Sequence, residues 1–263
     1  MSDNELDAAV AFALRLADEA GAVARRYFRT AVSVETKSND TPVTIADREA
    51  EAVMRTLIEA EYPNHGILGE EQAPTRLGAE HIWVLDPIDG TKGFLSGVPL
   101  FGTLIALVRE GIPILGIIDQ PILGERWLGV AGRPTTLNGT NARTRACTDL
   151  AHASLSTTGV EYLSGPGDLD AFDRVRGAAA RFRNIPDCYG YAMLASGFTD
   201  LVIEAGLNAW DYCALAPVIE GAGGTITDWR GAPLRLDSDG HVAAAGDARC
   251  HAAALEVLAA PGS

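Results

Sequence analysis

Acidic side chains close four apolar stretches of this sequence. WVLDPIDGT (83–91) holds Asp86 and Asp89 three residues apart, and GILGEE (66–71) ends on Glu70 and Glu71 side by side. LNAWDYCAL (207–215) sets Asp211 after Trp210, and TIAD (44–47) carries Asp47. HIWVL (81–85) reads as an apolar strand that ends at Pro87, which has no N–H for a ladder hydrogen bond. The resulting bend can aim the carboxylates of Asp86 and Asp89, and the carbonyl of Ile88, at one point. Gly90 permits a tight turn, which leaves the amides of Gly90 and Thr91 free to face an anion. Carboxylates this close repel unless a cation sits between them. An oxygen-only donor set without His or Cys favours Mg²⁺ over Zn²⁺, and Mg²⁺ leaves positions open for water and phosphate.

Each segment also has a plainer reading. Asp-Pro and Asp-Gly are common turn dipeptides, Asp211 suits a helix N-cap, and Thr44 with Asp47 has capping-box spacing. The four together are harder to dismiss. Other phosphate chemistries do not fit: a D-x-D-G-T nucleophile needs acids two apart, no Cys is followed six residues later by Arg, no His lies in R-H-G, and no G-x-x-x-x-G-K-[ST] loop occurs. EGAGG (220–224) closes a helix and reads as a C-cap.

The elements that must position these acids follow from periodicity. Apolar residues at helical spacing predict a helix from Leu6 to Phe28, and SVETKS (33–38) a short strand. A second helix over 44–61 is capped by Thr44. GTLIALVRE, PILGIIDQP and ERWLGV predict strands, the first two joined by a turn at Gly111 to Pro113. From Ser154 the pattern alternates: ASLSTTG, a helix near Leu169 to Ala180, DLVIEAG, the DYCALAPVIEGAGG segment, TITDW and a last helix from Asp247. This predicts a mixed α+β or α/β architecture in two parts, 1–150 and 151–263, forming one catalytic unit with a boundary near 145–153. The first part carries most of the candidate metal ligands.

Composition bounds the partners. With 263 residues, 47% hydrophobic and 21% charged, the chain reads as soluble and globular. The acidic start MSDNELDAAV predicts no secretory signal, and no run of about 18 apolar residues is available to cross a bilayer. A cytoplasmic protein is the expectation. Its net charge of −14 argues against nucleic acid and anionic membranes as partners, and makes phosphate handling depend on a local positive centre. Four scattered cysteines without a C-x-x-C pair predict reduced, buried thiols.

Taken in order, TKSNDTPVTIAD (36–47), GEE (69–71), WVLDPIDGT (83–91) and WDYCALAPVIEGAGG (210–224) resemble the inositol monophosphatase-like family of Mg²⁺-dependent phosphatases. The resemblance covers nearly the whole chain. It implies a layered α-β-α-β-α sandwich of the inositol monophosphatase and sugar phosphatase type, often dimeric. It also implies Glu70, Asp86, the Ile88 carbonyl, Asp89 and Asp211 as ligands of two or three Mg²⁺ ions, with Asp211 reaching the substrate as well. Thr91, held by Asp47 and with Glu71 close by, would orient the attacking water, and the Gly90 and Thr91 amides would receive the phosphate. One metal would activate that water and another stabilise the leaving alkoxide, without a covalent enzyme intermediate.

Within the family, FGTLIAL (101–107) and the segment 187–224 look most like the histidinol-phosphatase branch. Asp187 and Glu204 lie where the family contacts the non-phosphate half of the substrate, and two acids there suit the ammonium and imidazole of L-histidinol phosphate. Alternatives are inositol 1-phosphate or another sugar phosphate, with Glu204 on a hydroxyl, and a 3′,5′-bisphosphate nucleotide, whose branch GTKGF (90–94) resembles. Ile185 and Pro186 stand where glycine is usual and are expected to reshape the substrate wall. Two non-enzymatic readings compete. A metal- and phosphate-binding sensor would not need the Thr91–Asp47 pair, and a purely structural acidic protein would leave carboxylates repelling at four segment ends.

Overall fold

The computed structural model describes residues 2–31, 34–36 and 42–260; the KSNDT stretch (37–41) of the first motif lies outside them. In chain order the elements are α1 (Asp3–Tyr27), β1 (Val34–Thr36), β2 (Pro42–Thr44), α2 (Ile45–Glu61), β3 (Gly66–Gly69), β4 (His81–Asp89), α3 (Thr91–Leu95), β5 (Gly102–Arg109), β6 (Ile112–Gln120), β7 (Glu125–Val130), β8 (Thr136–Leu137) and β9 (Thr140–Asn141). There follow β10 (Ser154–Thr157), α4 (Asp168–Ala178), β11 (Arg181–Asn184), α5 (Asp187–Ala195), β12 (Leu201–Glu204), α6 (Ala209–Tyr212), α7 (Leu215–Gly221), β13 (Thr225–Thr227), β14 (Val242–Ala245) and α8 (Ala248–Ala259).

Helix α1 begins three residues before its predicted start because Ser2 and Glu5 form a capping box that satisfies its first amides. Thr44 caps α2 as expected. The hairpin between β5 and β6 turns at Glu110 and Gly111, both at positive φ, the geometry that matches strand twist. No helix among the described residues is long and apolar enough to cross a membrane.

Strands β3 to β9 form a seven-stranded sheet in sequence order, antiparallel except for the β3–β4 pair. A five-stranded sheet runs β11-β10-β12-β14-β13, with β10 parallel to both its neighbours. β1 and β2 make a separate two-stranded ribbon.

Side-chain alternation assigns the layers. On β4, Trp83 and Leu85 pack with α1 and α2, whereas Ile82 and Val84 face a core shared with α5, α7 and the second sheet. On β12, Val202 faces that same core, whereas Leu201 and Ile203 face α4 and α8. The order is α1 and α2, first sheet, α5 and α7, second sheet, α4 and α8, the expected α-β-α-β-α sandwich.

Several elements depart from the sequence reading. The 211–224 segment splits into α6 and α7, because an uninterrupted helix would bury Pro217 in its interior, where the missing N–H breaks the ladder. Restarting at Leu215 places the proline in a first turn. Strand β14 (VAAA) is built of small residues with little strand preference, and β11 (RFRN) is an edge strand with exposed charges, so neither stands out by composition.

Candidate active site

An odd spacing needs a structural correction before it can make a site. Side chains alternate along a strand, so Asp86 would follow Ile82 and Val84 toward the central layer while Asp89 followed Trp83 and Leu85 toward α1 and α2. In the ladder, however, Asp86 pairs with Leu104 and Asp89 with Gly102, which leaves Pro87 and Ile88 opposite Thr103 alone. This is a β-bulge, with one extra residue on β4. Thr103 Oγ1 donates to the Pro87 carbonyl at 2.9 Å, and the Ile88 amide donates to Asp86 Oδ1 at 3.0 Å. Ile88 itself turns into an apolar cluster with Ala24, Ala46, Phe94 and Phe101.

With the parity reset, Asp86, Asp89 and Asp211 bring carboxylate oxygens within 4.8 Å of one another. Asp211 is delivered by α6. It is not the N-cap that its position suggests: Asn208 caps the helix, and Asp211 is the third residue, whose Oδ2 accepts the Asn208 amide at 2.6 Å. Glu70 lines the same cavity of about 460 Å³, and its amide is tied to the Leu85 carbonyl at 3.2 Å.

The electrostatics are one-sided. Burial pushes Asp86 well above the usual carboxylate range, and the neighbouring charges of Glu70, Asp89, Asp211 and Asp47 all push the same way. Asp89 is also raised, by burial and by Asp187 and Asp211, although the Cys188 amide donates to its Oδ2 at 2.6 Å. Burial lifts Asp211 to about 7. Converging oxygen donors, Asp86 buried and Asp89 and Asp211 half-buried, that destabilise one another's ionised forms fit a hard divalent cation of the Mg²⁺ type.

A raised folded-state pKa means that the folded state holds protons the unfolded chain has released. For Asp211 this lowers metal-free stability as pH rises from about 4 to about 7, with no further loss above. Asp211→Asn, which keeps an acceptor for the Asn208 amide, is therefore expected to melt higher than the parent at pH 8 in EDTA. The gap should narrow toward pH 5. Thermal unfolding at both pH values checks this, and a variant that melts lower at pH 8 would contradict the electrostatic account.

Thr91 opens α3 beside this cluster, and Asp47 reaches it from α2. Asp47 makes both expected contacts, one per oxygen: Oδ2 accepts the Thr44 amide at 2.8 Å, completing the capping box, and Oδ1 accepts the Thr91 hydroxyl at 3.3 Å. The Ile88 carbonyl lies 3.2 Å from the same hydroxyl. Burial raises the Asp47 carboxyl. Glu71 is not among the residues lining the cavity; its amide donates to Glu51 Oε2 at 2.7 Å.

The far wall comes from the second half of the chain. Asp187 starts α5 at φ +53°, and its Oδ2 lies 2.6 Å from where a Cβ at residue 90 would be. Gly90, itself at φ +93°, is thus required both by the turn and by the carboxylate across from it. Thr158 couples the two wall acids: its hydroxyl accepts the Asp187 amide at 2.8 Å and donates to Glu204 Oε1, and its amide donates to that oxygen at 2.7 Å. Tyr191 donates to Glu204 Oε2 at 3.0 Å. Burial, then Glu204, raises Asp187 to about 7, opposed by Lys92. At the rim Lys92 Nζ meets the Tyr162 hydroxyl at 2.8 Å.

Ile185 and Pro186 do not line the cavity. The Ile185 amide is held by Ser156 Oγ at 3.2 Å, and Pro186 caps α5, so they act on the wall only by setting where Asp187 begins. Thr158, Tyr191, Glu51 and Arg55 escaped the sequence reading. For the last two a signal existed: Asp47, Glu51 and Arg55 form an i, i+4, i+8 row beside the apolar row Ala46, Ala50, Met54.

A model of the inositol monophosphatase family matches residues 5–260. The chain belongs to that family. The bifunctional phosphatase IMPL2 of Arabidopsis thaliana is 49% identical to it over 267 residues, covering 98% of this chain and 77% of the relative. A histidinol-phosphatase of Chlorobaculum parvum is 39% identical over 233 residues, covering 88% of this chain and 90% of its own. Among solved structures, an inositol monophosphatase from Zymomonas mobilis matches with a TM-score of 0.88 at 44% identity, over 98% of this chain and 99% of that one. As a member of the inositol monophosphatase family, which is Mg²⁺-dependent, the protein is a phosphoric monoester hydrolase acting on small phosphorylated metabolites.

Proposed function

We propose that the protein hydrolyses L-histidinol phosphate to L-histidinol and phosphate, a step of histidine biosynthesis. The observation that carries this reading is the Asp187 carboxylate. It is half-buried beside Gly90, it receives no hydrogen bond from the described residues, and it is coupled through Thr158 to a buried acid, Glu204. A neutral polyol does not need two acids on this wall. A substrate carrying an ammonium and an imidazole supplies donors that are charged or can become so. The relatives named histidinol-phosphatase support the same substrate. The Zymomonas mobilis inositol monophosphatase supports inositol 1-phosphate as the second reading, with the hydroxyls meeting Glu204.

In this mechanism Glu70, Asp86, Asp89 and Asp211 would hold Mg²⁺, joined by the Ile88 carbonyl. Bound there, Mg²⁺ supplies positive charge to the phosphoryl oxygens and lowers the pKa of water. The chain's own part is proton handling. When the Thr91 hydroxyl donates to Asp47 Oδ1, its lone pairs remain to orient a water in the cavity and accept its proton. As it does so its own hydroxyl proton moves along the hydrogen bond to Asp47 Oδ1, so Thr91 stays neutral and the water's hydroxide is released; the burial-raised pKa of Asp47 suits it to receive that proton.

Substrate choice is tested with Asp187→Asn. Hydrogen bonds to charged groups are worth about 1.5–3 kcal/mol, so kcat/KM for histidinol phosphate is expected to fall roughly 10–100-fold, while inositol 1-phosphate changes by less than about threefold. Equal losses on both esters, or a parent enzyme that prefers inositol 1-phosphate, would overturn the substrate assignment and leave the phosphatase site intact.

A further inference from the structure

Helix α2 carries a second device one turn beyond Asp47. Glu51 has no solvent exposure and Arg55 is 6% exposed, so both charges depend on partners inside the protein. Those partners are almost entirely the backbone of the segment that carries Glu70. Glu51 Oε2 accepts the Glu71 amide at 2.7 Å, and Oε1 accepts the Gln72 amide at 3.0 Å together with Arg55 Nε at 2.7 Å. Arg55 Nη2 then donates to the Gln72 carbonyl at 3.0 Å. Residue 69 completes the enclosure by shape, because a Cβ there would lie 2.4 to 2.7 Å from the atoms of the Glu51 carboxyl group. The carboxylate occupies the space that a side chain at residue 69 would fill, and the 69–72 segment wraps around it.

Between these fastenings sits Glu70. Its amide is held from the other side by the Leu85 carbonyl of β4, one residue before Asp86. Glu70 is thus fixed by β4 on one flank and by Glu51 on the other. Because Asp47 on the same face of α2 holds Thr91, this single helix sets the spacing between Glu70 and the water-orienting hydroxyl.

We infer that Glu51 is a positioning residue for metal binding: with Arg55 it clamps the 69–72 backbone so that the Glu70 carboxylate is already in place for the cation. The inference rests on the proposed role of Glu70 as a ligand. A buried ion pair serving only the core would lower the melting temperature of a variant but not its affinity for Mg²⁺ once folded. A clamp affects affinity in protein that is fully folded. Groups that orient metal ligands typically contribute roughly 10–100-fold to affinity.

The test is calorimetric titration of the metal-free full chain with MgCl₂, at a temperature where near-ultraviolet circular dichroism shows native packing. Glu51→Gln, which keeps the shape but replaces one acceptor with an N–H₂ group facing donors, is expected to bind Mg²⁺ about 10–100-fold more weakly. Half-maximal Mg²⁺ for activity should shift by the same factor, with kcat at saturating Mg²⁺ within about threefold of the parent. Arg55→Lys keeps the charge but loses the two-pronged contact to Glu51 and Gln72, and should give an intermediate shift; it carries the test if Glu51→Gln does not fold. Unchanged Mg²⁺ affinity in a folded variant overturns the clamp. Glu70→Gln is titrated alongside: if it weakens binding while Glu51→Gln and Arg55→Lys do not, only the clamp fails, and if Glu70→Gln has no effect, Glu70 is not a ligand and both inferences fall.

Discussion

Asp89→Asn is expected to lower kcat/KM for any phosphate ester the enzyme accepts by about a thousandfold or more, or ~4 kcal/mol of transition-state stabilisation at 1.36 kcal/mol per factor of ten. The substitution is conservative in shape and leaves an oxygen to accept the Cys188 amide that Asp89 Oδ2 now holds at 2.6 Å. What it removes is one negative charge from a set whose oxygens lie within 4.8 Å of one another. The loss therefore reports charge at the cation site rather than a collapsed wall. Asp18→Asn, at a position whose side chain is 69% exposed, is the matched control and should leave the rate unchanged. Steady-state kinetics across a Mg²⁺ titration decides the matter. A loss smaller than tenfold at saturating Mg²⁺ would mean that Asp89 does not bear on the metal in the way the geometry implies.

Thr91→Val should reduce kcat by roughly 10²- to 10⁴-fold, the range typical of a positioned proton acceptor, and leave Mg²⁺ affinity nearly unchanged. Asp47→Asn should match it in rate. It keeps an acceptor for the Thr44 amide and removes a carboxyl whose ionised form burial penalises, so at pH 8 without metal it should melt no lower than the parent. The double variant should be little slower than either single one, since removing one link of a two-link proton route already disables the other. Full additivity would show that the two residues act separately. A Thr91→Val enzyme with parental kcat would eliminate the route through Oγ1.

The acids at the ends of apolar runs were legible because charge there has few bland explanations in combination. Helices α1, α2, α4 and α8 were legible because their apolar stripes repeat at helical spacing. The means by which Asp86 and Asp89 face the same way was not legible: a bulge is a property of the pairing between β4 and β5, and only one of those strands carries the motif. From its own segment Asp211 suited a cap as well as a ligand, and only the family resemblance favoured the ligand, because the cap position is taken by Asn208, three residues earlier. Glu51 and Arg55 have the spacing of a solvent-exposed helix pair, and only tertiary structure reveals that this face of α2 is covered by the 69–72 segment. Thr158 was invisible for a related reason, since its two partners, Asp187 and Glu204, lie far along the chain.

The extra residue in β4 sets the regularity of the sheet against the function of the enzyme. Deleting Ile88 would let Asp86 and its successors pair with β5 without interruption and leave both acids on one face, but it would remove the carbonyl that stands between them and the side chain that anchors the bulge in its apolar cluster. Strand ends ordinarily tolerate gain or loss of a residue, because the chain can slip at the turn and restore its pairing. Here a register that smoothed the bulge without losing a residue would restore the hydrogen bonds and turn Asp89 to the opposite face, since an even number of residues separates the two acids. The two acids therefore face together only while the extra residue stays out of the ladder, and what that residue adds to the cluster is a backbone carbonyl that a regular strand would have spent on its neighbour.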